Sequence, residues 1–142
     1  MAEPAPGEPR DHMNALLSLL VPFARDTIGE HGEFFPFGAT MLPDGELQVA
    51  ASWDGDERPT AEQVLDTVRA GLRERADRGE LLASGVVSGV EIAEGDYPLG
   101  IRVELEHRDA DPVTCLVPYR EVDDGYEYGD VVAYEGERRT WT

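Results

Sequence analysis

Three histidines and one cysteine are the residues best suited to metal binding or nucleophilic chemistry in this chain. His31 follows a helical pattern in a glycine-rich turn, and His107 ends an alternating segment beside Glu106 and Asp109. Imidazole and carboxylate groups suit zinc or iron, so these residues could in principle form a metal site. The three histidines and Cys115 do not form the HxH, HxxxH or CxxC spacings that are typical of such sites. We therefore expect surface or turn-capping histidines, with no metal and no cofactor.

Cys115 alternates with Val113 and Val117, which predicts that its side chain points into a sheet core. A buried cysteine behaves as a small hydrophobic residue. A nucleophilic thiol needs a lowered pKa, a neighbouring base and access to substrate. We therefore expect no catalytic role for Cys115. A single cysteine also favours a reducing, cytoplasmic location.

Acidic residues recur in patterns that could be mistaken for sites. The segment 54–57, Asp-Gly-Asp-Glu, begins like a calcium loop, but Arg58 and Thr60 stand where further acidic ligands are needed. A solvated loop before a helix is the better interpretation. Glu104 and Glu106 are expected to lie on a solvent-facing, charged strand face rather than to form an acid–base pair.

The overall charge restricts the partners of this chain. The formal net charge is −18, from 30 acidic and 12 basic residues, and all the basic residues are arginine. Nucleic-acid binding needs clustered cations, and anionic membranes repel acidic surfaces, so both partners are disfavoured. No apolar run reaches the roughly 20 residues that a membrane span requires. The absence of lysine suits either a GC-rich genome or a high-salt cytoplasm.

Two amphipathic helices are predicted. In the first, the apolar residues from Met13 to Ile28 recur at helical spacing, Pro22 should kink or split the helix, and Gly29 and Gly32 should end it. The second begins at Thr60, which forms a capping box with Gln63. Residues 1–9, with three prolines, are predicted to be a disordered lead-in to one domain spanning 10–142.

A β-hairpin is predicted between these helices. Apolar residues alternate with smaller or polar ones in segments 35–41 and 47–53, and Pro43 and Gly45 mark the turn between them. Three more strands are predicted near 82–92, 101–106 and 113–117. The order α-β-β-α-β-β-β predicts an α+β fold, with a mostly antiparallel sheet of five or more strands and two main helices on one face. This order is similar to that of profilin-like and roadblock proteins, by analogy only.

Several short motifs resemble those of a group of small bacterial proteins that have no assigned activity. The segments are His31–Ala39 (HGEFFPFGA), Leu105–Asp109 (LEHRD) and Val117–Tyr119 (VPY). The resemblance spans roughly residues 15 to 135. It implies a shared fold and supplies no catalytic residues.

One face of the predicted hairpin is uncharged in an otherwise acidic chain. Its members are Pro36, Gly38, Thr40, Gln48, Ala50 and Ser52. If the alternating apolar residues enter the core, this face points outward, and depletion of charge is typical of interface cores. We therefore expect a non-enzymatic interaction module that forms a homodimer or binds a protein partner. The alternative is a small enzyme or ligand-binding protein with a pocket near His31, His107 and the C-terminal tyrosines, Tyr119, Tyr126 and Tyr128.

Overall fold

The computed structural model describes residues 7–32, 36–50, 60–92 and 95–141. In chain order, their elements are α1 (Pro9–His31), β1 (Phe37–Met41), β2 (Leu47–Ala50), α2 (Ala61–Asp77), β3 (Ala83–Glu91), β4 (Leu99–His107), β5 (Ala110–Val122), β6 (Gly125–Tyr128) and β7 (Val132–Glu135). All described strand pairs are antiparallel. The predicted α+β class and element order are confirmed, with two short strands added at the C-terminal end.

Helix α1 begins and ends with the signals that helices commonly use. Glu8 is the N-cap and forms a capping box with Asp11, so the helix begins at Pro9, inside the predicted lead-in of residues 1–9. The helix continues through the exposed Pro22 and is not split there. Gly32 closes it in the left-handed conformation, at φ 78°. No helix in the described ranges is long and apolar enough to span a membrane.

The strand order across the sheet is β2-β1-β3-β4-β5-β6, and β7 pairs with β5. The predicted turn between β1 and β2 is present, with Gly45 at φ 93° and its N–H donating to the Leu42 carbonyl at 2.8 Å. Because β1 lies between β2 and β3, the connection through α2 must cross over β1 on one face of the sheet. This crossover decides what covers the hairpin.

The two helices pack on opposite faces of the sheet, which corrects the prediction that both lie on one face. Gly85 lies under α1, because a Cβ atom built there would come within 2.5 Å of Leu20 Cδ1. Gly38 lies under α2, because a Cβ atom there would come within 3.1 Å of Val68 Cγ1. Gly38 pairs with Val86, whose side chain belongs to the buried apolar cluster that packs against α2. Gly85 pairs with Ala39, whose side chain belongs to the separate buried cluster that packs against α1. Successive side chains of a strand point to opposite faces, so β3 contributes Val87 to the cluster of α1 and Val86 to the cluster of α2.

The chain after β7 returns across the α2 face of the sheet. Thr140 is 2% exposed there, and its hydroxyl lies 3.1 Å from the Ser84 hydroxyl. Trp141 packs against the apolar cluster of α2. Residues 137–141, which we call the C-terminal strap, therefore cover part of the face that α2 leaves open.

Candidate functional site

The predicted interface face of the hairpin is mostly covered. Pro36, Gly38 and Thr40 are buried, and Thr40 is 0% exposed. Gln48 is exposed and accepts a long hydrogen bond from Arg75 of α2 at 3.4 Å. The backbone of Ala50 pairs with Gly38, and Ser52 lies outside the described residues. The expectation that this face points away from the core is therefore wrong at Thr40 and Gly38.

The small, uncharged residues of β1 have an intramolecular explanation. Every residue of β1 is buried, because the strand has a neighbour on each side and a helix on each face. At Gly38 there is room for α2 only because the side chain is absent, since a Cβ would also lie 3.0 Å from the Gly85 carbonyl oxygen. The absence of charge was thus a sign of burial under α2, not of an open interface.

The opposite face of the same hairpin is open at its edge. Leu47 and Val49 were expected in the core, and both do lie on the α1 face, opposite Met41 and Ala39. They are nevertheless 38% and 45% exposed, since α1 packs mainly against β1, β3 and β4. Phe23 of α1 is 48% exposed on the same side.

Phe23, Leu47 and Val49 together form what we call the hairpin-edge surface. Phe23 packs at a tilt against Phe37 of β1, with ring centroids 4.9 Å apart, which places its ring beside the hairpin. Within the described ranges β2 pairs only with β1, so it is an edge strand of the sheet that these residues form. Natural edge strands are usually protected by charged residues, proline or bulges. Residues 47–50, Leu-Gln-Val-Ala, contain none of these.

The histidines are not brought together as the ligand-binding alternative requires. His31 is exposed and lies 3.7 Å from the Glu30 carboxylate. His107 instead meets His12, which lies 19 residues before His31 on the same helix. At 1.5 Å per residue, His31 is about 28 Å from His12. A single pocket containing both His31 and His107 is therefore inconsistent with this fold.

The His12–His107 pair is buried at the opposite end of α1 from His31. His12 Nδ1 and His107 Nε2 are 3.0 Å apart, and the rings stack with centroids 5.2 Å apart. The Asp109 backbone N–H donates to His107 Nδ1 at 2.9 Å. Burial lowers the pKa of His107, and the neighbouring His12 lowers it further. Sequence reasoning missed His12, because no local spacing links residues that are 95 positions apart.

Glu104 and Glu106 are buried, although they were expected to face solvent. They are 9% and 3% exposed. Arg69 of α2 donates to Glu104 Oε1, and Arg139 Nε donates to Glu104 Oε2 at 2.8 Å. Glu106 accepts backbone N–H groups of Arg139 and Thr140, both at 2.9 Å. These carboxylates hold α2 and the C-terminal strap on the sheet, which is a structural role.

Cys115 and the segment 54–57 were the other two candidates in the sequence, and the structure describes only the first of them. Cys115 is 4% exposed, as predicted, and burial raises the pKa of its thiol. The segment 54–57, interpreted above as a solvated loop, lies outside the described residues. Among the residues that are described, no three His, Cys, Asp or Glu side chains are grouped closely enough to hold a metal ion.

The C-terminal tyrosines cluster near the C-terminal end of α1. Tyr119 makes ring contacts with Tyr126 and Tyr128, and the Arg25 guanidinium lies 4.1 Å from the Tyr128 ring centroid. An open depression of about 350 Å³ adjoins Tyr126 and Tyr128. Arg25, Asp26 and Asp124 also line this depression, and the Arg25 guanidinium already covers one face of the Tyr128 ring.

Comparisons with known proteins add no further assignment. No protein-family model matches the chain, and no curated protein and no solved structure is significantly similar to it.

Proposed function

We propose that this chain is a non-enzymatic interaction module that self-associates through the hairpin-edge surface. The observation that supports the proposal most directly is the exposure of Leu47 and Val49 on an edge strand, at 38% and 45%. Alternating apolar residues of this kind are normally covered, and an uncharged edge strand can extend its sheet by pairing with another strand. The non-enzymatic part rests on the separation of His31 from His107 and on the burial of Cys115.

A second copy of the chain fits this edge in one particular register. Side chains that are directly opposite in an antiparallel pair lie on the same face. With Gln48 opposite Gln48 of the other copy, Leu47 meets Val49 on the α1 face and Glu46 meets Ala50. This two-fold arrangement joins the apolar residues of both copies and keeps the two Glu46 carboxylates apart.

Electrostatics makes the strength of this contact depend on salt. Each copy has a net charge of −18, so two copies repel each other although the paired strands are uncharged. A strand of four residues also buries little surface, which is typical of weak or transient contacts. Added salt screens the repulsion and leaves the apolar contact, so self-association should strengthen with NaCl. A contact with a basic partner protein would weaken with NaCl instead.

Sedimentation velocity at rising protein concentration, up to about 1 mM, tests the proposal. We expect a monomer–dimer equilibrium that shifts toward dimer as NaCl is raised. Val49→Arg should abolish the dimer, because it places a charge in the centre of the contact. Val132→Arg is the matched control, since Val132 is 54% exposed on β7 at the other side of the sheet, and it should leave dimerisation unchanged.

Two results would contradict self-association through β2. One is a wild-type protein that stays monomeric at every concentration and salt level. The other is a dimer that Val132→Arg disrupts and Val49→Arg does not. A purified basic partner that binds the monomer more weakly at higher salt, and that Val49→Arg releases, would show that the surface serves a different protein instead of a second copy.

A further inference from the structure

We propose that the His12–His107 pair is an acid-sensitive latch that holds the first turns of α1 against the end of β4. His12 is the fourth residue of α1, and His107 is the last residue of β4. The two side chains are 7% and 1% exposed. A proton added to His107 Nδ1 opposes the Asp109 backbone N–H and places a positive charge in the buried contact with His12, which loosens the N-terminal part of α1.

The hydrogen bonds around His107 require one arrangement of protons. Nδ1 of His107 accepts the Asp109 backbone N–H, so this nitrogen has a free lone pair and the ring proton is on Nε2. Nε2–H then donates to His12 Nδ1. A proton added to His107 Nδ1 would oppose the Asp109 N–H. A proton added to His12 Nδ1 would oppose the His107 Nε2–H.

The surrounding charges favour the neutral pair. On the side of β5, the Asp109 carboxylate raises the pKa of His107 and Arg108 lowers it. From the C-terminal strap, Arg138 lowers the same pKa, and its guanidinium donates to the His107 carbonyl at 3.2 Å. From α1, the Asp11 carboxylate accepts the Glu8 N–H, and the helix N-terminus itself disfavours a nearby cation.

The strand neighbours of His107 among the described residues do not compensate a positive charge. On β3, the residue paired with His107 is the uncharged Ala83. On β4, Glu106 precedes His107, but its carboxylate is already engaged by N–H groups of the strap. Successive strand residues also point to opposite faces, so Glu106 lies on the far side of the sheet from the ring.

The direction of the pH effect follows from the lowered pKa. In the unfolded chain the ring of His107 titrates near the ordinary value of about 6.5. Since the folded state resists this proton, the unfolded state binds more protons below that pH, and stability rises with pH there. The stabilisation is complete above the unfolded value and is lost as pH falls through about 6.5 toward the lower folded value.

Hydrogen exchange and thermal unfolding from about pH 7.5 to about pH 5.5 test the latch. In the wild type, exchange of amides 9–16 should accelerate several-fold at the lower pH, after correction for the intrinsic rate, and Tm should fall. The variant His12→Asn/His107→Gln keeps an acceptor and a donor without a titratable ring. The acceleration of exchange and the fall in Tm should therefore both be smaller in this variant. His31→Asn is the control, since it removes an exposed histidine and should respond as the wild type does.

An equal response of the double variant and the wild type would overturn the proposal. If the double variant does not fold, NMR of the wild-type imidazole nitrogens decides the question. Support requires His107 to be in the Nε2–H form with a midpoint below about 6.5. A Nδ1–H form, or a midpoint at or above that value, would contradict the latch.

Discussion

Gly38 of β1 lies directly against Val68 of α2, so closely that a Cβ atom on Gly38 would come within 3.1 Å of Val68 Cγ1. The same atom would lie 3.0 Å from the Gly85 carbonyl oxygen, which belongs to the paired strand and cannot easily move. The missing side chain therefore sets how near α2 can approach the sheet. This contact converts a strand face that would suit an interface into part of the core.

Replacing Gly38 with alanine should destabilise the fold by about 1–3 kcal/mol, because the added methyl group overpacks the α2 interface. Gly71 provides the matched control, since it lies on the exposed side of α2 and a Cβ there would meet no atom of the rest of the chain within 4 Å. Gly71→Ala should stabilise the protein by roughly 0.5–1 kcal/mol through helix propensity. Urea unfolding of both variants measures the difference. Equal effects would show that α2 does not pack on Gly38.

The ion pair between Arg69 and Glu104 should show strong coupling. Their side chains are 17% and 10% exposed, and Arg139 also binds Glu104. Arg69→Met should cost about 1–3 kcal/mol, because a largely buried carboxylate loses one of its donors. The double variant Arg69→Met/Glu104→Gln should cost less than the two single changes added together. Additive values in the urea double-mutant cycle would mean that the pair contributes no coupling.

The Cys115 thiol should react slowly in the native protein. Burial raises its pKa, which lowers the thiolate fraction near pH 8, and its 4% exposure restricts access. Reaction with a chromogenic disulfide reagent should therefore be slow in native buffer and fast after addition of urea. A native rate equal to that of the unfolded protein would place the thiol at the surface.

Thermal stability should increase with NaCl. The net charge of −18 makes the compact state self-repulsive, and screening at a Debye length of roughly 8 Å or less relieves that cost. Tm should rise most steeply at low ionic strength, and it should be measured at low protein concentration so that dimerisation does not contribute. A flat or falling curve would mean that local pairs such as Arg120–Glu127 already neutralise the important carboxylates.

DNA and RNA should not bind at about 150 mM salt, because the acidic surface repels phosphate groups. Fluorescence polarisation with labelled single- and double-stranded oligonucleotides checks this expectation. Affinity in the sub-micromolar range would contradict it and would imply a local basic surface that the net charge conceals.

The sequence by itself determined both helices, the first five strands and many of their ends. Helical spacing from Met13 to Ile28 located α1, the Thr60–Gln63 capping box located the start of α2, and Gly45 located the hairpin turn. Alternation also placed Cys115 in the core. These features depend on neighbours within a few residues, so local patterns are sufficient to reveal them.

The tertiary structure alone decided which faces are covered. Alternation divides a strand into two sets of side chains, but it does not say whether one helix or two will cover them. Thr40 became fully buried because the crossover through α2 passes over β1, whereas Val49 stayed 45% exposed because β2 lies at the sheet edge. The His12–His107 contact and the strap over Glu106 likewise join residues that are distant in the chain. Such contacts depend on topology, which the periodicity of a single segment does not contain.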